Sequence, residues 1–511
     1  MTAIHKEIAF EGMICAHLGG TGWLYEDGAA TRHDRARGLF VDDLVAWVQA
    51  TQPDAWDALS KTHGTAAATA LADRLRAALD KQGTLDLLRQ GLDMVGLRRP
   101  ISLCQFRPAL GMNAALAARY AGNRLRVVRQ VRYSPHHENS IDLVLFLNGI
   151  PVATAELKSD YTQRVEDAVD QYRYDRSPKA PGKNVAEPIL GFPGGALVHF
   201  AVSNSEVRMC ARLDGADSRF LPFNKGHEFG AGNPPNPNGT PTAYLWEEVW
   251  QRDSWLEILG RYLVPVKDEK KRLTGWVFPR FHQLDATRKL VAAVLKDGAG
   301  GRYLIEHSAG SGKTNSIAWT AHFLADLHDA DSRKVFDTVL VVSDRTVLDK
   351  QLREAVEGFE RTQGVVAVIT GEGASKSQEL AEALGAGKKI VVCTIQTFPF
   401  ALEQIRKLAA VQGKGFAVIA DEAHSSQAGQ AAAKLKQALT AEEVAALEDG
   451  GEFDLEDVLA AEMKGRAAQD AGISYVAFTA TPKAKTLELF GRRPDPSRPA
   501  GKDNRPAAFH T

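Results

Sequence analysis

The stretch 303–314 constrains the fold more than any other part of the chain. A short β-rich run enters the loop 307–312, and Gly-Lys-Thr then opens a segment whose apolar residues recur at helical spacing. A strand, a glycine-containing loop and a helix in this order form a phosphate-binding loop. Loops of this kind join a parallel strand to its following helix, so an α/β domain is predicted around it.

The loop supplies the groups that bind a nucleoside triphosphate. Its glycines let backbone N–H groups turn toward a phosphate, and the helix N-terminus adds positive potential. Lys313 is placed to reach the β- and γ-phosphates, and the Thr314 hydroxyl to bind Mg²⁺. The loop departs from the pattern G-x-x-x-x-G-K-[ST] because His307 stands at the first glycine position. The cofactor-binding residues predicted here are Ser308, Ala309, Gly310, Ser311, Gly312, Lys313 and Thr314.

Further strands after the loop predict a doubly wound sheet. Buried-strand runs occupy 339–343, 389–394, 416–420 and 475–478, and helical patterns separate them. Ligands of such sheets lie at the carboxyl ends of the strands.

Polar residues stand at those carboxyl ends. Asp421 is predicted to bind the Mg²⁺ that Thr314 touches, and Glu422 to polarise the attacking water. Gln283, about 25 residues before the phosphate loop, carries an amide that can read an adenine. The residues expected to couple nucleotide state to a bound strand are His424, Thr479 and Thr481.

Two strand-like runs in the first half, 141–147 and 151–158, flank an Asn-Gly turn signal. Glu156 and Lys158 lie two apart on one strand and project from the same face. With Asp142, they could hold a hard divalent ion and orient a water. A strict two-residue turn would point Asp142 away from that face. A three-residue loop, or a bulge for which Pro151 is a plausible site, would set Asp142 opposite Glu156 instead.

Two helices accompany this hairpin. Residues 5–18 carry a predicted helix with Glu7 and Glu11 one turn apart. Its apolar positions at helical spacing are Phe10, Met13, Ile14 and Leu18. One of these acids could face an active site, or both could be solvated. After the hairpin, 163–174 reads as a helix on which Gln171 and Tyr174 can share a face.

An arginine-rich stretch between 89 and 132 contains a single acid, Asp93. It is either a phosphate-binding surface or a solvated face. Its arginines are Arg89, Arg98, Arg99, Arg107, Arg119, Arg124, Arg126, Arg129 and Arg132.

Composition limits which partners and which cellular compartment the protein can have. The chain has 62 Lys and Arg against 63 Asp and Glu, so no global field attracts nucleic acid and any basic path must be local. Its four cysteines are far apart, which favours a reducing compartment. No signal region and no run of about 18 apolar residues occurs. We therefore expect a soluble, cytoplasmic protein without membrane association.

Together these motifs resemble the restriction subunit, the motor and nuclease, of type I restriction-modification systems. The stretches that resemble the first RecA-like domain of a superfamily 2 helicase are 307–314, Ser343-Asp344-Arg345, Asp421-Glu422-Ala423-His424 and Phe478-Thr479-Ala480-Thr481-Pro482. The stretches that resemble a PD-(D/E)xK nuclease are Asp142, 147–151 and Glu156-Leu157-Lys158. The resemblance implies an endonuclease domain over 1–265 and a RecA-like doubly wound ATPase domain over 266–511. The chain stops at Thr511, so the resemblance implies an N-terminal portion without the second RecA-like domain.

The resemblance also implies residue roles in the nuclease. Asp142 and Glu156 would bind the metal, Lys158 would be catalytic, and Glu11 would be the helix acid. These subunits carry a Gln-x-x-x-Tyr element, here Gln171 with Tyr174 or Tyr172, because position 175 is Asp.

The expected function is an ATP-dependent DNA translocase and endonuclease that cleaves unmodified foreign DNA away from the recognition site. ATP and Mg²⁺ are the implied cofactors. Double-stranded DNA and the methyltransferase and specificity subunits are the implied partners. Two alternatives stay open: another nuclease-helicase in DNA repair or phage defence, and a non-catalytic DNA- and nucleotide-binding fragment.

Overall fold

The computed structural model divides into two compact units, Met1–His282 and Gln283–Thr511. The first unit ends later than the boundary expected after residue 265. The hairpin of residues 264–277 belongs to it, since Trp276 packs on Phe192 with ring centroids 5.3 Å apart. The structure describes residues 3–108, 113–160, 163–180, 182, 185–228, 230–343, 350–359, 364–370, 375–394, 397–421, 472–495, 497–498 and 504–511.

The first unit packs helices and three π-helical turns around a mixed sheet of six strands. Its helices are α1 (Ala3–Gly20), α2 (Val41–Thr51), α3 (Pro53–His63), α4 (Ala67–Gln82), α5 (Thr84–Gln90), α6 (Ala114–Ala121), α7 (Val165–Asp170) and α8 (Arg252–Glu257). The π-helical turns are Gln171–Asp175, Leu245–Val249 and Ile258–Tyr262.

The sheet runs in chain order, β1 to β6, and only the β3–β4 pair is parallel. Its strands are β1 (Leu125–Arg132), β2 (Ser140–Leu147), β3 (Ile150–Leu157), β4 (Val198–Val202), β5 (Val207–Cys210) and β6 (Leu221–Pro222). A separate antiparallel hairpin consists of β7 (Val264–Lys267) and β8 (Leu273–Val277).

The β2–β3 turn has the two-residue form that Asn-Gly predicts. Asn148 has φ 49° and Gly149 φ 83°, and Leu147 pairs with Ile150 across the turn. A Cβ at position 149 would lie 2.3 Å from the Phe40 carbonyl oxygen, so only glycine fits.

A bulge follows this turn and decides the register of the hairpin. Val152 is the extra residue of β3, and beyond it Leu143 pairs with Ala155. Asp142 therefore lies opposite Glu156. Of the two registers left open by the sequence, the one with the bulge is confirmed.

The arginines of β1 pair with acidic side chains of the protein. Arg126 is only 7% exposed, and its Nε donates to Oδ2 of the fully buried Asp43 at 2.5 Å. Arg124 Nε donates to Asp43 Oδ1 at 2.9 Å, and Arg129 Nε lies 3.3 Å from Glu11 Oε2. The phosphate-binding hypothesis is wrong for Arg126, because burial removes its guanidinium from any backbone phosphate.

The second unit is built on a parallel sheet of six strands in the order β11-β12-β10-β13-β14-β9. Its strands are β9 (Arg302–Glu306), β10 (Thr338–Ser343), β11 (Val366–Val368), β12 (Ile390–Thr394), β13 (Phe416–Asp421) and β14 (Ile473–Thr479). Its helices are α9 (Phe281–Asp297), which begins at the end of the first unit, α10 (Lys313–Ala325), α11 (Lys350–Gly358), α12 (Lys376–Gly385), α13 (Phe398–Gln412) and α14 (Ala484–Phe490). The predicted α/β fold class is confirmed.

Strand order sets the neighbours of the phosphate loop. β14 lies between β9 and β13, so Thr479 pairs with Glu306 while Phe478 pairs with Asp421. The carboxyl ends of three strands thus meet beside the loop.

Among the described residues, no helix combines the length and apolar character that crossing a bilayer requires.

Candidate functional site

Three elements of the first unit bring acidic side chains and a lysine together. Glu7 and Glu11 lie one turn apart on α1, Asp142 lies on β2, and Glu156 and Lys158 come from the end of β3. Glu11, Glu156 and Lys158 are buried. The carboxylates expected from the sequence at this site are therefore neighbours in the structure.

Hydrogen bonds orient Asp142. Its Oδ2 accepts from the Leu157 backbone N–H at 2.7 Å, and its Oδ1 accepts from Gln130 Nε2 at 3.2 Å. The same Gln130 nitrogen donates to Glu11 Oε1 at 2.7 Å. One amide group thus connects Asp142 with Glu11.

Glu156 is a buried carboxylate with one cationic partner. Arg176 Nε donates to its Oε1 at 2.6 Å, while Oε2 is buried without a hydrogen-bond partner among the described residues. Burial and the Asp142 carboxylate raise the pKa of Glu156 well above its ordinary value, and Arg176 opposes them. Burial, with Asp142, also raises the pKa of Glu11 to about 7.

Lys158 lies at the rim of this cluster. Its Nζ is 3.7 Å from Glu7 Oε1, and the lysine is buried. Burial raises the pKa of Glu7, and the positive charge of Lys158 opposes that rise. The ammonium group thus lies close to the Glu7 carboxylate.

The structure separates the tyrosines of the Gln-x-x-x-Tyr hypothesis. Tyr172 is buried, and its hydroxyl is 2.7 Å from Oγ1 of Thr154 on β3. Tyr174 is 69% exposed. Gln171 opens the π-helical turn, and its Oε1 is buried without a hydrogen-bond partner in the described part of the chain. The catalytic role of Gln171 and Tyr174 stays a prediction.

Arg176, like Gln130, is a contact of this site that sequence reasoning missed. It follows directly on the π-helical turn 171–175, which determines how the chain leaves α7. A cation beyond the predicted helix was its only signal in the sequence, and that signal does not specify Glu156 as its partner.

The carboxylates of the first site are ligands of the kind that Mg²⁺ binds. Within the described residues, no group of three or more His, Cys, Asp or Glu side chains is arranged to hold a metal. Mg²⁺ usually binds one or two carboxylates and completes its shell with water and substrate phosphates. The opposed Asp142 and Glu156, with the unpartnered Glu156 Oε2, match that requirement. The residues present fit a hard divalent ion.

The phosphate loop of the second unit is braced from α9. Gly312 has φ 86°, and a Cβ there would lie 2.7 Å from Gln283 Nε2. That nitrogen donates to the Gly312 carbonyl at 3.0 Å and to the Ser311 carbonyl at 3.3 Å. Gln283, expected to read adenine, thus contacts the loop itself, and the adenine role stays a prediction.

His307 occupies the first position of the loop as part of the sheet. Its backbone N–H donates to the Thr479 carbonyl at 2.9 Å, which continues the β9–β14 pairing. The position does not have a positive φ, so glycine is not required there. The ring Nε2 lies 3.3 Å from His510 Nδ1, and His510 Nε2 lies 2.9 Å from Asp285 Oδ2.

The other predicted nucleotide residues surround this loop. Lys313 and Thr314 are the first two residues of α10, and Asp421 is the last residue of β13. Thr479 is buried, and its Oγ1 accepts from the Thr481 backbone N–H at 3.3 Å. The loop residues exposed to an incoming ligand are Ser308, Ala309 and Gly310. The predicted residues outside the described part of the chain are Glu422 and His424.

Both sites fall within known families. Residues 52–218 match the type I restriction enzyme R protein N terminus (HSDR_N), and residues 282–448 match the SWI2/SNF2 ATPase. Residues 52–218 are thus similar to the N terminus of type I restriction enzyme R proteins, and residues 282–448 are similar to SWI2/SNF2 ATPases. The resemblance stated from the sequence is confirmed. No curated protein matches the chain.

The two matched ranges cover most of the candidate residues. The R protein region includes Asp142, Glu156 and Lys158, whereas Glu11 precedes it. The SWI2/SNF2 region includes the phosphate loop and Asp421, and an ATPase of this kind implies ATP as its nucleotide.

Proposed function

We propose that this chain is the ATP-dependent DNA translocase and endonuclease subunit of a type I restriction-modification complex, cleaving unmodified DNA away from the recognition site. One observation carries the proposal. The buried Glu156 lies opposite the half-buried Asp142, and Lys158 follows two residues after Glu156, all inside the range that matches the R protein N terminus. A phosphate loop follows in the same chain, inside the range that matches the SWI2/SNF2 ATPase. Cleavage and motor chemistry would then belong to separate units of one polypeptide.

The nuclease chemistry follows from the charges of the first site. Asp142 and Glu156 would hold Mg²⁺, which neutralises a scissile phosphate and lowers the pKa of a bound water. Leu157 N–H fixes one oxygen of Asp142, so its other oxygen keeps a defined direction. Lys158 would screen the phosphate and orient the attacking water, and Glu11 completes the acidic group.

The motor chemistry follows from the second site. The backbone of the loop and Lys313 would bind the β- and γ-phosphates at the N-terminus of α10. Thr314 and Asp421 would hold the Mg²⁺ that accompanies ATP, and Glu422 would polarise the attacking water. Gln283 supports this arrangement by holding two loop carbonyls in place.

The test uses the subunit that carries these residues, assembled with its methyltransferase and specificity partners. Supercoiled DNA is offered either unmodified or fully methylated by the same partners, with and without ATP. We expect ATP hydrolysis and cleavage only with unmodified DNA, and cleavage only with ATP and Mg²⁺. The Lys313→Ala subunit should lose both activities.

Two results would contradict the proposal. Cleavage that is equally fast without ATP would separate the nuclease from the motor. A subunit that does not co-purify with a methyltransferase and a specificity subunit, yet hydrolyses ATP on any DNA, would favour another nuclease-helicase instead.

A further inference from the structure

Gln130 has side-chain contacts of an unusual kind for a strand residue. Its amide nitrogen donates to Glu11 Oε1 at 2.7 Å and to Asp142 Oδ1 at 3.2 Å, and its Oε1 accepts from Ser140 Oγ at 2.8 Å. An amide nitrogen carries two N–H groups, whereas an ionised carboxylate only accepts. The network therefore fixes which end of the amide faces the two acids.

The backbone at Gln130 is also out of the ordinary. Its φ is 52°, in the left-handed region, although Arg129 and Val131 on either side keep the β1–β2 pairing. Glycine adopts this conformation without strain, and any residue with a Cβ is strained there. The backbone at this position favours glycine, yet the chain carries a long amide that bonds to three side chains.

The position of Gln130 in the sheet shows what it supplies. The pairs Arg129–Leu143 and Val131–Ile141 place it directly across from Asp142, on the face that α1 covers with Glu11. Two carboxylates this close repel each other, and one donor between them fixes their separation.

We propose that Gln130 is a positioning residue of the nuclease site, holding Glu11 and Asp142 at the spacing that the metal and the scissile phosphate require. The inference rests on the proposed nuclease function. Gln130 itself touches no reacting atom; it acts through the two acids. Partners of this kind behind metal ligands typically change metal affinity by about 10- to 100-fold when removed.

The test separates a positioning role from a structural role, because the two roles predict different changes in the unfolding temperature. Gln130→Gly removes the amide and also relieves the left-handed strain. Mn²⁺ affinity is measured by titration calorimetry on the 511-residue chain, and stability by thermal unfolding. We expect Mn²⁺ binding to weaken about 10- to 100-fold, while the unfolding temperature stays equal or rises.

A matched control comes from Lys271, which has φ 60° in the exposed β7–β8 turn. Lys271→Gly should keep or raise the unfolding temperature and leave Mn²⁺ affinity unchanged. In the assembled complex, Gln130→Gly should raise the Mg²⁺ concentration for half-maximal cleavage by the same factor as it weakens Mn²⁺ binding.

Asp142→Ala distinguishes failure of this inference from failure of the proposed function. If Asp142→Ala removes Mn²⁺ binding but Gln130→Gly does not change it, Gln130 is not a positioning residue. A lower unfolding temperature in Gln130→Gly also overturns the inference, because the residue would then be structural. If the Asp142→Ala chain binds Mn²⁺ as tightly as the original chain, the assignment of the nuclease site is wrong, and the inference fails with it.

Discussion

Replacing Asp43 by alanine tests whether the arginines of β1 are structural. Both oxygens of Asp43 are used: Oδ2 accepts from Arg126 Nε, and Oδ1 accepts from Arg126 Nη2 at 3.0 Å and from Arg124 Nε at 2.9 Å. Asp43 is fully buried and Arg126 is 7% exposed. The variant Asp43→Ala would therefore leave the Arg126 guanidinium buried without a counter-charge.

The size of the effect follows from that burial. Breaking a buried ion pair by removing one partner costs about 3–5 kcal/mol, because an uncompensated charge stays in the interior. Arg124 is about one-third exposed and can be rehydrated, so it adds little. For a unit of this size, each kcal/mol of lost stability lowers the unfolding temperature by about 2–4 °C. We expect the unfolding temperature of the first unit to fall by about 6–20 °C.

The assay is thermal unfolding followed by circular dichroism, with Asp42→Ala as the matched control. Asp42 precedes Asp43 in the first turn of α2, but it is 65% exposed and lies 3.7 Å from Arg32. Both substitutions remove an acid from the same helix N-terminus, and only one breaks a buried pair. The control should change stability by less than about 1 kcal/mol.

The double variant Asp43→Leu with Arg126→Met should recover most of the loss, because apolar pairs often replace buried ion pairs without cost. It should also leave the salt dependence of DNA binding unchanged, since a buried arginine makes no phosphate contact. Equal effects of Asp43→Ala and Asp42→Ala, or a reduced salt slope in the double variant, would refute the structural reading.

Three further predictions concern the nucleotide site and the response to acid. Lys313→Ala should abolish ATP binding in a fluorescent-nucleotide titration without changing the circular dichroism spectrum; retained affinity would count against the loop. Gln283→Ala removes two hydrogen bonds to the loop and should weaken the binding of ATP and of GTP equally, by about 10-fold. Weaker binding of ATP alone would instead support recognition of the adenine base by Gln283. Burial lowers the pKa of His33 to about 4 in the folded protein. Between about pH 6.5 and 4, the unfolded protein therefore binds a proton at His33 and the folded protein does not. Stability is thus lost as pH falls from about 6.5 to 4, and His33→Leu should remove about 3 kcal/mol of this loss in urea titrations; identical pH profiles would contradict it.

Much of the fold follows from local pattern. Runs of apolar residues between turn signals identified every strand of the second sheet except β11, three half-buried residues too short for a period to appear. In α1, Phe10, Ile14 and Leu18 of the predicted apolar stripe are buried. Met13, which belongs to the same predicted stripe, is exposed. Residues at the margin of a stripe depend on what packs beside the helix, which periodicity does not contain.

The candidate site was only partly accessible from sequence. The spacing of Glu156 and Lys158 fixes their shared face, because strand periodicity is local. Whether Asp142 joins them depended on the bulge at Val152, and the sequence left both registers open. The ion pair of Arg176 with Glu156 and the backbone of Gln130 arise from tertiary packing, so no local pattern predicts them.

The most direct measurement of the central claim is DNA cleavage by the assembled complex carrying Asp142→Ala, Glu156→Ala or Lys158→Ala. ATP hydrolysis is recorded in the same reactions. Because the carboxylate site and the phosphate loop belong to separate units, we predict that each variant loses cleavage of unmodified DNA while DNA-stimulated ATP hydrolysis continues at the original rate. Undiminished cleavage by any of the three variants would contradict the assignment of the nuclease site.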